Sequence, residues 1–473
     1  MMTLSLALRN LLRNRRRSLA TLLAIALGAA AVLLFGGYSA DINHGLQTGY
    51  IRSGGHLQIQ HRDYFLFGSG DPTAYGISAY PQIIAAIQAD PQLRDHLTVV
   101  TPSLALDGVA GNYAAGVSRT VLGSGLVAAD HVRLRAWNAF HIAQIALPMR
   151  LAGTPANAAV VGEGLARVLL MCQALKVANC PAPGKPASES VGADLPDDIA
   201  ALSLGEAKAN AKANAKPGTG AGNGSPTVQL LASSARGAPN VASLNVVAAE
   251  NQGYKELDEV TVQLHLAQAQ RLVYGAQAPK VTAISIQLQQ TTDIPAALAR
   301  LQAMLPGWAP GQALAVRDFR ELNPFYGQSI QLFDTIFGFM FALIGSIVMF
   351  TVSNTMNTAV VERTVEIGTL RAIGLRQSGI RRMFITEGLL IGLAGTAAGV
   401  ALALVAAWGV NHLGLEWQPP GSADQIPLMV TVWGETPLIV GTAIGLVLLT
   451  TLSAWWPAYR GARLNMVDAL RHA

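Results

Sequence analysis

The sequence predicts an α-helical membrane protein with four transmembrane helices and a large α+β extracytoplasmic domain inserted between helices one and two. Three observations carry that expectation. Of 473 residues, 51% are apolar and only 13% charged, against about a quarter charged in ordinary soluble domains. The mean hydropathy of +0.35 is too low for a chain embedded in lipid throughout. Stretches free of Asp, Glu, Lys and Arg and long enough to cross a bilayer occur four times, one near the start and three near the end. High apolar content also excludes disorder.

Residues 1–17 hold Arg9, Arg13, Arg15, Arg16 and Arg17 and no acid. They abut an apolar run, so they read as a membrane flank rather than a nucleic-acid surface, despite a net charge of +5. An amphipathic helix over Leu4–Asn14 would lie along the inner membrane face. A span needs about 20 apolar residues, and residues 18–40, 335–361, 388–415 and 436–459 supply them. The first run exceeds the usual apolar centre of a signal peptide. After Ala24, Ala26, Ala29 and Ala31 it continues through Leu-Leu-Phe with no polar break, so it is expected to stay as an anchor.

Short loops set the orientation. Residues 362–387 carry Arg363, Arg371, Arg376, Arg381 and Arg382 against three glutamates, and the tail 460–473 carries Arg460, Arg463 and Arg471 against Asp468. Residues 416–435 have Glu416, Asp424 and Glu435 with no Lys or Arg. The positive-inside rule therefore places both termini and the 362–387 loop in the cytoplasm, and residues 41–334 outside. No Asp, Glu, Lys or Arg lies within the four spans, and His412 stands only at the outer end of the third. A hydrophilic path through the bilayer usually needs such groups.

In the exterior domain, His56–Gln60, Leu97–Ala110, Val241–Glu250 and Lys280–Gln289 read as strands. Tyr80–Ala89, Gly162–Leu175 and Ile294–Leu305 read as helices. Residues 181–226 shift abruptly in composition, and 207–226 within them have almost no large apolar side chain, so 181–226 reads as a low-complexity insertion. Cys172 and Cys180 sit at its leading edge, and either a local disulfide or two free thiols fits an exported domain. No P-loop, HExxH or G-x-S-x-G pattern occurs, so no catalytic residue and no metal site is expected. His56 and His61 bracket one strand and are read as packing or surface residues.

The most informative stretch is Asn354–Val400. Asn354 and Asn357 place amides near the inner interface. Glu362 and Glu366 are four apart, as on one helical face. Gly368 and Gly374 are expected to bracket a short helix exposing Arg371. Gly388, Gly392, Gly395 and Gly399 give span three a stripe of small residues for close helix packing.

The ordered run E-x-x-x-E-I-G-x-L-R-A-x-G, followed by F-x-x-E, resembles the FtsX/MacB/LolC-LolE class of ABC transporter permeases. It covers Glu362, Arg363, Glu366, Ile367, Gly368, Leu370, Arg371, Ala372 and Gly374, then Phe384 and Glu387. The ending Trp455–Arg471 is similar to the family's, with Gly461 and Met466 in place of an alanine and a proline. The resemblance implies a chain that binds no cofactor itself, a separate ABC ATPase subunit holding ATP and Mg, and a second permease copy or paralogue. It also implies ATPase docking through Glu362–Gly374, with Glu366–Gly374 as the docking helix, in a bacterial inner membrane with the large domain periplasmic. Membrane lipid is a partner on the same reading, and so is a periplasmic adaptor or lipoprotein carrier; nucleic acid is not. The expected function is to transmit ATPase motion to the exterior domain and so extract or export a lipoprotein or other amphiphilic substrate. The alternatives are a non-transporting regulator of a cell-wall hydrolase or sensor, and efflux of a drug or peptide.

Overall fold

A computed structural model of the chain describes residues 15–68, 70–142, 148–178, 180, 226–308, 311–418 and 425–463. Most of the expected amphipathic helix at 1–17, the insertion up to residue 225 and the tail from residue 464 lie outside the described residues.

Among the described residues, four helices are long and apolar enough to cross a membrane. Helix α1 runs Arg15–Gly54, and the exterior domain follows it. Gly55 ends α1 with φ +79°. That is the left-handed conformation glycine adopts without strain, and a Cβ there would stand 2.7 Å from the Ile286 carbonyl oxygen.

Strands β1 (Leu57–His61), β2 (Leu97–Asn112), β3 (Val117–Leu126), β4 (Ala158–Gly162), β5 (Thr227–Ser233), β6 (Pro239–Glu250), β7 (Thr261–His265), β8 (Ala283–Leu288) and β9 (Leu314–Asp318) form one nine-stranded sheet. The long β2 joins its two parts. Its first half pairs with β8, which continues through β1 to β9. Its second half closes a ring through β3, β7, β4, β6 and β5 and back to β2. Pro102 occupies the last position but one of the β8 ladder, where β2 changes partners and a missing N–H is tolerated.

The helices cover this sheet with their apolar faces. Helix α2 (Tyr80–Ala89) buries Ile83 and Ile87, α3 (Ala128–Arg135) buries His131 and Leu134, and α4 (Glu163–Val168) buries Leu165 and Ala166. Helix α5 (Leu266–Tyr274) buries Ala269, Leu272 and Val273. Gly125 of β3 leaves room for Ala269. Helix α6 (Ile294–Trp308) buries Ala297 and Leu301. Helices α2, α4, α5 and α6 share one core with Leu57, Ile59, Leu104, Leu230 and Ile286, while Ala128 of α3 joins a smaller cluster with Leu126, Leu151 and Val160.

Helix α7 (Pro324–Glu362) opens on a proline and leads back through the membrane. The short α8 (Thr364–Ala372), α9 (Gln377–His412) and α10 (Thr436–Ala462) follow. At 1.5 Å per residue, the 39 residues of α7 span about 58 Å, nearly twice a bilayer core of about 30 Å. Helices α1 and α7 therefore project beyond their charge-free segments into the exterior domain. Ile51 of α1 and Tyr326 of α7 join its core.

Local expectations needed correction. Gly162–Leu175 is not one helix. Ala158–Gly162 is a fully buried strand, α4 ends at Val168, and a separate turn of helix covers Cys172–Leu175. Leu170, with φ +55°, breaks the path between them. Strands β3, β4, β5, β7 and β9 and helices α3 and α5 were not expected from periodicity. Cys172 and Cys180 form a disulfide that closes the end of this segment.

Candidate functional site

The turn between α7 and α9 is built around a break at Arg363. With φ −105° and ψ 19°, it ends α7 and begins α8. Glu362 and Glu366 thus belong to different helices rather than to one continuous face. Gly368 lies inside α8 and is buried, so the helix begins at Thr364 and is not bracketed by Gly368. Gly374 does end it: φ +102° turns the chain toward α9, which begins at Gln377, within the stretch expected to be loop.

Arg363 points inward. Its Nη1 donates to Glu387 Oε2 at 3.2 Å and Oε1 at 3.4 Å, and the two side chains are 4% and 5% exposed. This ion pair ties the end of α7 to α9. Ile367 is buried too, in a cluster with Val360, Ile380, Met383, Phe384, Ala458 and Ala462. Around this base, Glu362, Glu366, Ala372 and Gly374 are exposed, and Leu370 and Arg371 are half-buried. Glu366 in the first turn of α8 and Arg371 in its last complement the helix dipole.

The tip of the turn is apolar. Ile373 is 79% exposed and Leu375 41%. Ile373 lies within the expected docking helix Glu366–Gly374 but is not one of the motif residues, and Leu375 lies beyond both. The available signal was two large apolar residues beside Gly374 in an otherwise charged loop. The Arg363–Glu387 pairing was also missed, although both residues stand in the motif.

The four glycines of α9 make close contacts with two different helices. A Cβ on Gly388 would lie 2.6 Å from Ala454 Cβ, and one on Gly392 would collide with Thr450, both on α10. A Cβ on Gly395 would lie 2.8 Å from Ile25 Cβ, and one on Gly399 would lie 2.7 Å from the Ala26 carbonyl oxygen, both on α1. Between α1 and α7 the hydroxyls of Thr21 and Thr355 are hydrogen-bonded at 2.9 Å. Asn354 and Asn357 are exposed on α7. Gly461 of α10 faces α7, and a Cβ there would stand 2.8 Å from Val360 Cγ1, so the glycine suits this packing.

Residues 336–466, which hold α8, α9, α10 and most of α7, match the family described as FtsX-like permease C-terminal. The chain is similar to the lipoprotein-releasing system transmembrane protein LolC of Neisseria meningitidis serogroup B. The two are 27% identical over 244 residues, covering 50% of this chain and 56% of that one. It is also similar to the macrolide export ATP-binding/permease protein MacB of a Shewanella species, 37% identical over 119 residues, 25% of this chain and 16% of that one. The chain spans about half the length, or less, of the curated relatives it matches. The periplasmic region of MacB from Actinobacillus actinomycetemcomitans superposes at a TM-score of 0.31 and 11% identity, over 58% of this chain and 94% of that one. The chain is a relative of the FtsX/MacB/LolC type of ABC permease.

Proposed function

We propose that this chain is the membrane subunit of an ATP-driven ABC transporter and works as a lever. A separate ATPase subunit, carrying ATP and Mg, docks on the α8 turn. Its movement passes along α7 and α1 to the exterior domain, which extracts or exports a lipoprotein or another amphiphile. The complex lies in a bacterial inner membrane with the exterior domain in the periplasm, and a second permease copy or paralogue completes it.

One observation carries this reading. Helix α7 is unbroken from Pro324, at the exterior core, to Glu362, where the buried Arg363–Glu387 pair anchors its end. A displacement of α8 therefore meets a rigid rod rather than a loop. Within the expected docking set, Arg363, Ile367 and Gly368 hold α8 to its base. Glu366, Leu370, Arg371, Ala372 and Gly374, joined by Ile373 and Leu375, form the face offered to the ATPase. Relatives named for lipoprotein release and macrolide export support an amphiphilic cargo.

The test is Arg371→Glu in the full chain expressed with its neighbouring ATPase. Co-purification should be lost while the exterior domain keeps its thermal transition; undiminished ATPase recovery removes the docking assignment. Stimulation of the ATPase by a triacylated lipoprotein, in reconstituted complex, separates transport from regulation without cargo.

A further inference from the structure

A cavity of about 340 Å³ lies where both long helices enter the exterior domain. The end of α1, strand β1, the turn after it and the segment leading into α7 form its walls, and no lining residue carries a charge. Tyr50 is ten residues beyond Ala40 on one continuous helix, which raises the cavity about 15 Å above the end of the first apolar span.

Two kinds of group line it. Tyr50, Tyr64 and Phe65 contribute ring faces, and Gln58, Gln60 and Asn323 contribute neutral amides. Gln58 and Gln60 are two apart on β1 and so share one face of the strand. Each amide nitrogen on this wall already donates: Gln58 Nε2 to the Gly54 carbonyl at 2.9 Å, Gln60 Nε2 to Gln58 Oε1 at 2.9 Å, and Asn323 Nδ2 to the Phe319 carbonyl at 2.7 Å. Gln60 Oε1 is different. The residue is 5% exposed, and this oxygen has no hydrogen-bond partner among the described residues. A buried acceptor left alone costs free energy, so native structures nearly always supply a donor. Arg317 lies 5.0 Å from the Phe65 ring centroid and hydrogen-bonds to Glu321 and to the Arg62 carbonyl, which steadies the ring without charging the cavity wall.

We infer that this cavity binds a neutral sugar ring, the juxtaposition being ring faces beside an acceptor-rich amide wall. The C–H faces of a pyranose match aromatic surface, and its hydroxyls bring donors to the amide wall; Gln60 Oε1, shielded as it stands, takes one when its side chain turns toward the cavity. A phosphate or carboxylate would find no cation on the wall. The volume accommodates about one or two such rings. The sugar can come from a soluble glycan or from the headgroup of a glycolipid lifted out of the bilayer.

The experiment uses the full chain purified in lauryldimethylamine oxide, which carries no sugar, and two probes, maltose and dodecyl maltoside, observed by saturation-transfer NMR. Transfer to the sugar protons of maltose identifies a soluble glycan as sufficient; transfer to those of dodecyl maltoside alone identifies a glycolipid headgroup. Either supports the site, provided Gln60→Leu and Tyr64→Ala each weaken binding about tenfold, the scale of one hydrogen bond or ring contact, with the thermal transition of the domain retained. If Gln60→Leu does not fold, Gln58→Leu, whose side chain is only half-buried, takes its place. No transfer with either probe, or binding unchanged in the folded variants, overturns the site. Neither result bears on ATPase docking, which is read at Arg371.

Discussion

Arg363 and Glu387 show how residue identity and residue position carry different information. Both are charged and sit in a loop rich in arginine, so a solvated role is the natural expectation, yet each is at most 5% exposed. Removing one partner of a buried pair strands the other charge and costs about 3–5 kcal/mol, whereas replacing both with apolar side chains is often nearly neutral. Arg363→Met should therefore lower the thermal transition of the detergent-solubilised chain sharply, and Arg363→Met with Glu387→Met should recover most of it. If the double variant is as unstable as the single one, the pair is not what holds α8 in place. The glycines make a similar point through space rather than charge. Gly392→Val would drive two methyl groups into Thr450 of α10 and should cost about 1–3 kcal/mol. The same change at Gly441, which has nothing within 4 Å of its added Cβ, should be far milder.

At the scale of elements, the exterior domain carries two histidines that its packing keeps neutral. His56 is fully buried and accepts a hydrogen bond from the Leu288 N–H at 3.0 Å, with its ring edge-on to Trp137. His131 is buried on α3. Burial pushes both down from 6.5 to about 4; Arg135 adds to the effect at His131, while Asp293 opposes it at His56 and Asp130 at His131. Above pH 6.5 the folded and unfolded chains are equally unprotonated at these rings. Between 6.5 and about 4 the unfolded chain takes up protons that the folded domain refuses, so stability falls as pH falls and levels off below. The full effect is about 3 kcal/mol per ring. Chemical denaturation across that window should show the loss, and His56→Gln should reduce its slope. The Cys172–Cys180 disulfide acts on the short segment after α4. Closing a loop of this length stabilises by about 2–3 kcal/mol, so reduction should lower the domain's transition by that amount and leave the membrane helices unaffected.

Across the whole molecule, the proposed lever depends on α7 being stiff where it leaves the bilayer. Gln331 is an exposed residue on that stretch. Gln331→Pro would remove a helix hydrogen bond and kink the rod, at a cost of about 3 kcal/mol. ATPase recovery should be unchanged, because α8 and its base are untouched, while stimulation of the ATPase by a triacylated lipoprotein should disappear. Retained stimulation would mean that α7 does not carry the motion. The spans and their flanking charges were legible because lipid imposes a length and a polarity that no packing can override. The ends of α1 and α7 were not, since their extra turns are stabilised by Ile51 and Tyr326 entering a core that no local pattern reveals. Strand β4 is illegible in the sequence for a related reason. It is buried on both faces between β6 and β7, so it shows no alternation, and only its last residue, Gly162, falls within the helix expected at Gly162–Leu175.

The amino-acid order alone determined where the chain is lipid-compatible, which loops are basic, and that the glycines at 388, 392, 395 and 399 form one stripe. Each is a property of neighbouring residues and needs no partner. Only the tertiary structure decided that this stripe is shared between α10 and α1, that Arg363 faces Glu387 instead of water, and that β2 belongs to two halves of one sheet. Those outcomes depend on which surfaces meet, and the free energy of burying a charge or omitting a Cβ is set by the element packed against it.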